Sequence, residues 1–387
     1  MTTGSPSTRI APLPAGIAPA GTIPADTTPA TVVDAVARGD NPEARKIEAY
    51  PALDWLRFVL ASVVVLGHEG IAMPGPVNGG LAVEVFLALS GWLIGGILLR
   101  TTAAELPRFF YNRSTRIWAP YLATAAMIYG LAAVRQGIDG NWFKYLFYDL
   151  TFTHYTFTTF PRALTEMPLG GTGAHFWSIS VEEQFYLAAP IVMLFLGRGR
   201  SLVTWLVIAA LLLVVQSQFA AIALGVTAAI AHRQYGFATG EPVRHALLGL
   251  VAAAAFALAW YWNIPPIRAL FACALVVALT IPGARGRWGV LFGALSYPLY
   301  LNHWLGGFMM QAVDKLVVPL PDAVMKTTSY LMAVVVAYVA WFVIDRQVMA
   351  RRGEWYTPAL GRASQVTAYT LFAIGIAGGT ILWANGQ

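Results

Sequence analysis

Four stretches of the sequence carry residues able to do chemistry where such residues are costly. In RFVLASVVVLGHEG, Arg57 and His68 frame an apolar run, eleven positions apart. On a helix that spacing returns to within roughly 20° of one face after a rise of about 16 Å. One end of the face then holds a cation. The other holds an imidazole, able to serve as general base or nucleophile. A snorkelling arginine and a hydrogen-bonded packing histidine fit the same pattern. In RFFYNRSTRIWAPY, Arg113 and Arg116 are three apart and project together from a helix. Such a fork suits phosphate oxygens and equally a lipid-headgroup anchor. HFWSISVEEQFYLAAP places Glu182 and Glu183 in an apolar setting. Glu182 shares a helical stripe with His175, Ser178 and Tyr186, whereas Glu183 has Ile179 and Leu187 at its four-residue offsets. Glu182 is therefore the carboxylate expected to face a polar interior. LSYPLYLNHW adds Asn302 and His303, suited to catalysis or to hydrogen bonding between helices.

A metal site is not expected. Glu69 follows His68, but HEGIA lacks the second histidine of H-E-x-x-H. The single cysteine, Cys273, sits in an apolar run and reads as a small core residue.

The elements that position these residues follow from composition. Of 387 residues, 57% are hydrophobic and only 11% charged, and the mean hydropathy is +0.61. Soluble domains carry about a quarter charged residues. Apolar runs long enough to cross a bilayer recur along the chain, without the alternation of an outer-membrane barrel. The expected fold is all-α: a polytopic membrane bundle of about ten core helices plus an eleventh. Spans are expected near 53–73, 79–99, 116–134, 175–197, 202–216, 218–232, 246–263, 266–282, 289–310, 328–346 and 366–384. With the amino terminus cytoplasmic, about three-quarters of the Lys and Arg fall inside, as the positive-inside rule requires. The net charge of +6 is thus a topology signal and implies no nucleic-acid partner.

Residues 1–48 are Pro/Ala/Thr-rich and poor in large hydrophobes, so they read as a disordered cytoplasmic tail. No cleavable signal peptide is expected, because the first apolar run begins after residue 50. Residues 49–350 form the membrane core, and 351–387 a loop with an additional span. Within 202–232, two short helices are expected to turn at QSQ. The external segment 135–174 suits a lid or a re-entrant element. Its Trp142, Tyr145, Tyr148 and Tyr155 suit a glycan surface or an interfacial belt.

Depth joins the four stretches. On these spans His68 lies roughly 7 Å, and Glu182 and His303 roughly 10 Å, below the outer surface. Arg57, Arg113 and Arg116 mark the opposite side. Taken in order, LDWLRFVLASVVVLGHEG, GGLAVEVFLALSGWLIG, RFFYNRSTRIWAPY, FWSISVEEQFYL and LSYPLYLNHW resemble the acyltransferase family 3 membrane proteins over residues 50–346.

The resemblance implies transfer of an acyl group, often acetyl, from cytoplasmic acyl-CoA to a hydroxyl acceptor at a bacterial inner membrane. The acceptor class includes saccharides, lipid-linked glycans and lipids, and polysaccharide-biosynthesis proteins are candidate partners. It implies acyl-CoA as co-substrate and no metal. Carried over, His68, Glu182 and His303 are the catalytic set, and Arg57, Arg113 and Arg116 bind the donor. Ser90, beside Gly91, corresponds to the family's Ser-Gly, and Ser178 and Tyr186 complete an expected substrate-binding group with it. His68 would act as general base or acyl relay, with Glu182 orienting an imidazole. The rival reading is a transporter or flippase in which buried Arg, His and Glu line a pathway. No inverted repeat or pair of Gly/Pro-broken spans supports it.

Overall fold

The computed structural model describes residues 49–237 and 241–385. The expected disordered tail lies outside them. Among the described residues every regular element is helical. The principal helices are α1 (Pro51–His68), α2 (Gly79–Leu98), α3 (Leu106–Gln136), α4 (Gly140–Leu150), α5 (Phe176–Pro190), α6 (Leu202–Val214), α7 (Phe219–Tyr235), α8 (Pro242–Trp262), α9 (Pro265–Ala278), α10 (Arg287–Leu316), α11 (Asp322–Ala340), α12 (Arg346–Trp355) and α13 (Pro358–Asn385).

Local chemistry sets the boundaries. Pro51, Pro107, Pro242 and Pro265 stand in first turns, where a missing N–H costs nothing. Asn78 caps α2 by accepting from the Leu81 N–H at 3.0 Å, and Asp139 caps α4 by accepting from the Trp142 N–H at 2.7 Å. The α6–α7 turn falls where expected, with Gln216 in the left-handed region at φ 52°. At 13 residues, α6 rises only about 20 Å, less than a hydrocarbon core.

Each expected span coincides with a helix. Six helical stretches are long and apolar enough to cross a membrane: Pro51–His68, Gly79–Leu98, Ala103–Gln136, Pro242–Trp262, Asp322–Trp355 and Pro358–Ala384. The chain is therefore an integral membrane protein built of helices. Segments such as α5 and α9 are shorter, and α5 carries two carboxylates; burial within the bundle accommodates them.

Small residues let the helices approach closely. On α2, Gly91 faces the Ile222 carbonyl of α7, and Gly225 of α7 faces the Ala88 carbonyl of α2. Parallel α1 and α10 meet similarly: a Cβ on Gly289 would lie 3.0 Å from the Trp55 ring, and one on Gly293 3.0 Å from the Asp54 Cβ. Arg285 then clamps Asp54 through two bonds of 2.6 Å. Without bulky side chains in the way, van der Waals contact and short polar bonds hold the helices where hydrophobic burial gives little drive.

The segment between α3 and α5 folds as α4 plus three single helical turns, His154–Phe157, Ala163–Glu166 and Pro168–Gly171. It packs on α3, α5 and α13, and Lys144 pairs with Glu166 at 2.7 Å. Tyr145 and Tyr148 are only 0% and 1% exposed. Neither a glycan surface nor an interfacial belt, the two uses these aromatics suited, describes Tyr145 and Tyr148: both are core residues.

Candidate functional site

The close approach of α1 and α10 decides which side chains meet. Gly289 lies against Trp55; thirteen residues further along α1 comes His68, and fourteen along α10 comes His303. Two parallel helices rising equally per residue bring those imidazoles together. His68 Nδ1 and His303 Nε2 are 2.7 Å apart. His303 Nδ1 lies 2.8 Å from the Tyr300 carbonyl, which can only accept. His303 therefore carries its hydrogen on Nδ1. In neutral His303 the Nε2 is then an acceptor, and His68 Nδ1 must donate to it. What remains is the unprotonated Nε2 of His68, the nitrogen available to take a proton.

Burial separates the roles. His303 is 4% exposed, whereas His68, at the end of α1, is exposed. His303 is thus the positioning partner and His68 the reachable base. A third imidazole, His175, stacks edge-on against His303 with ring centres 5.0 Å apart. Its two nitrogens face the carbonyls of Thr172 at 3.1 Å and Leu301 at 3.2 Å, and a neutral ring can donate to only one of them. Tyr300 ties this group together, its hydroxyl 2.6 Å from Ser178 Oγ and donating to the His175 carbonyl at 2.8 Å.

Glu182 does not orient an imidazole, contrary to expectation. Ser90 Oγ donates to it, and the Tyr186 hydroxyl and the charges of Arg113, Arg116 and Arg57 act on it. Seven residues separate it from His175, about 10 Å along α5, and the α5 stripe runs on toward the arginines. Glu183 is held by Trp118 Nε1 at 3.0 Å. Of the expected substrate-binding group, Ser90 and Ser178 spend their hydroxyls on protein partners, and the ring of Tyr186 lies under the Arg113 guanidinium. They hold the site's shape.

The arginines gather at the Arg57 end of the bundle. Arg57 lies 3.6 Å from Asp54, the carboxylate that Arg285 also grips. Arg113 rests over the rings of Tyr186 and Phe109 at 5.4 and 5.9 Å. Arg116 is exposed and makes no hydrogen bond or ion pair among the described residues. Asn302 is buried, accepting from Thr124 Oγ1 at 3.0 Å and donating to the Pro298 carbonyl at 3.1 Å, so it joins α3 to α10. No cluster of His, Cys, Asp and Glu able to hold a metal occurs among the described residues.

The sequence reading named His175 only as a stripe neighbour and missed Tyr300, Asp54 and Arg285 as site elements. Asp54 was detectable, being three residues from Arg57 on one helix. The part of Tyr300 depends on an interhelical contact that leaves no local pattern.

One expected result follows from the imidazole pair. His303→Ala should lower any turnover that uses His68 as its base on the order of 100-fold, by freeing the His68 ring. His303→Gln, whose amide oxygen can still accept from His68 Nδ1, should retain more activity. Equal turnover in wild type and His303→Ala, measured in purified protein, would refute the pairing's role.

Comparison with known proteins gives the geometry a context. Residues 50–224 match the family model described as an acyltransferase domain, a stretch that includes Arg57, His68, Arg113, Arg116 and Glu182 but not His303. A Staphylococcus aureus (strain COL) protein named as a candidate O-acetyltransferase is 26% identical over 170 residues, 38% of this chain and 25% of its own length. The peptidoglycan O-acetyltransferase of Listeria monocytogenes serovar 1/2a is 28% identical over 155 residues, 37% of this chain and 24% of its own. The chain thus matches about a quarter of the length of these curated relatives. No solved structure matches it.

Proposed function

Because residues 50–224 belong to the acyltransferase family 3, we propose that this chain is an acyl-CoA-dependent O-acyltransferase. It moves an acyl group, acetyl in the simplest case, to a hydroxyl of a saccharide or lipid-linked glycan. The observation that carries the reading is the His68–His303 pair: an exposed imidazole whose Nδ1 is committed to a buried partner and whose Nε2 is free. In the proposed step His68 Nε2 takes the proton of the acceptor hydroxyl as its oxygen attacks the thioester carbonyl. The carbon–sulfur bond then breaks, and His68 returns the proton to the departing thiolate. The imidazolium formed in between is stabilised by the hydrogen bond to His303.

Arg113 and Arg116, with Arg57 held by Asp54, supply cations for the donor's phosphates. Along α1 the rise of about 16 Å from Arg57 to His68 is a distance that an extended pantetheine arm covers. Glu182 offsets part of the arginine charge. The proposed setting is a bacterial inner membrane with eleven crossings and the Arg57 end cytoplasmic, in keeping with the charge distribution. The saccharide acceptor draws on the Listeria relative, whose name gives peptidoglycan as its substrate.

Membranes containing the chain, incubated with acetyl-CoA labelled in the acetyl group, should pass label into a saccharide or lipid fraction. Folded wild-type protein that leaves all label on CoA or as free acetate would reject the proposal. A transporter would give that result.

A further inference from the structure

The π-helical turn Trp341–Asp345 joins α11 to α12 and carries the chain back to the arginine end of α3. There the Tyr111 hydroxyl donates to the Arg352 carbonyl at 2.8 Å, and Arg352 Nη1 donates to the Asn112 carbonyl at 3.2 Å. These bonds fix Arg352 to the turn of α3 that presents Arg113 and Arg116, and the charges of both act on it. Arg352 Nε is buried and has no hydrogen-bond partner. Among the described residues none of the three guanidiniums has a carboxylate within ion-pair distance. The nearby acids are engaged or off to one side. Asp54 is shared by Arg57 and Arg285, Glu182 is held by Ser90, and Glu183 is held by Trp118 through one oxygen, its Oε1 having no hydrogen-bond partner. Asp345 acts on Arg116 without a direct pair and keeps one oxygen, Oδ2, unpartnered.

Three like charges assembled in a partly dehydrated place repel one another unless an anion joins them. A phosphate ester, with several oxygens and more than one charge, matches forked guanidinium donors. We propose that Arg352 is the third member of a phosphate-binding site with Arg113 and Arg116, and that the site grips a phosphate group of the acyl donor. The inference rests on the acyl-CoA reading above and extends it. It draws α12, beyond residues 50–346 where the sequence resembles the family, into donor recognition. Anionic lipid headgroups share the phosphate chemistry and are the competing source.

The test uses the full chain in nanodiscs of neutral phosphatidylcholine, with CoA and pantetheine as probes of wild type, Arg352→Gln and Arg352→Lys. CoA affinity should fall by roughly 10- to 100-fold in Arg352→Gln, the loss of one charge-assisted contact. Arg352→Lys should lose less, and pantetheine should bind all three alike. Thermal midpoints of the variants establish that the bundle is intact. The lysine variant keeps the measurement decisive if the glutamine one unfolds. Equal CoA affinity in wild type and the folded variants would overturn the inference while leaving the donor reading standing. So would an Arg352 effect confined to retention of phosphatidylglycerol, which would assign the site to lipid. Wild-type protein that does not bind CoA would overturn both readings.

Discussion

His68→Ala should reduce acyl transfer by about 1,000-fold or more, within the range that general-base groups contribute, while leaving the protein folded in the membrane. The imidazole lies at the exposed end of α1, and its one hydrogen bond among the described residues is to His303. Removing it leaves His303 Nε2 without a donor, a cost of about 1–3 kcal/mol. The apolar body of α1, with Ala61, Val64 and Val65 buried, is untouched. Loss of rate should therefore far exceed loss of stability. Purified His68→Ala, checked for a wild-type elution profile and assayed with labelled acetyl-CoA, gives the comparison. Transfer within tenfold of wild type would remove His68 from the chemistry. CoA affinity should be unchanged, because the arginines lie at the other end of the helix; a large affinity loss would point to a structural role instead.

The second large effect is on the fold. Gly225→Val should strongly lower thermal stability, because its new Cβ would sit 2.0 Å from the Ala88 carbonyl oxygen and 2.7 Å from the Trp92 nitrogen. Both neighbours are backbone and cannot swing aside, so α2 and α7 must separate. Overpacking costs about 1–3 kcal/mol even where side chains can yield, and here the obstacle is rigid. Gly91, on the other side of the crossing, would place a Cβ 1.9 Å from the Ile222 carbonyl and should be equally intolerant. Gly96 is the control: on the same helix its Cβ would meet nothing within 4 Å, so Gly96→Ala should match or slightly exceed wild type. Size-exclusion profiles of detergent-solubilised protein after graded heating would report all three. A wild-type midpoint for Gly225→Val would show that the helices are farther apart than this crossing requires. The crossing also reaches the site, because Ser90, next to Gly91, donates to Glu182.

Much of this was legible in the chain. Apolar runs gave helices where expected, including the turn at Gln216, because the length needed to cross a bilayer is a local constraint. The stripe of His175, Ser178 and Tyr186 pointed to Glu182 as the carboxylate facing a polar interior, but not to the arginines as its surroundings. The aromatic residues of the segment after α3 were misread, since Tyr and Trp fit an exposed surface and a core equally well. Only packing against α3, α5 and α13 buried Tyr145 and Tyr148.

By itself, then, the sequence determined that this is a helical membrane protein with an arginine, Arg57, and a histidine, His68, at opposite ends of one helix face. Those properties depend on hydropathy and on a period of 3.6 residues, both readable along one chain. Tertiary structure alone decided that His68 meets His303 and not Glu182, and that Arg352 joins Arg113 and Arg116. Pairing between helices depends on how closely backbones approach and in what register. At α1 and α10 that register comes from Gly289 and Gly293, residues with no chemistry of their own.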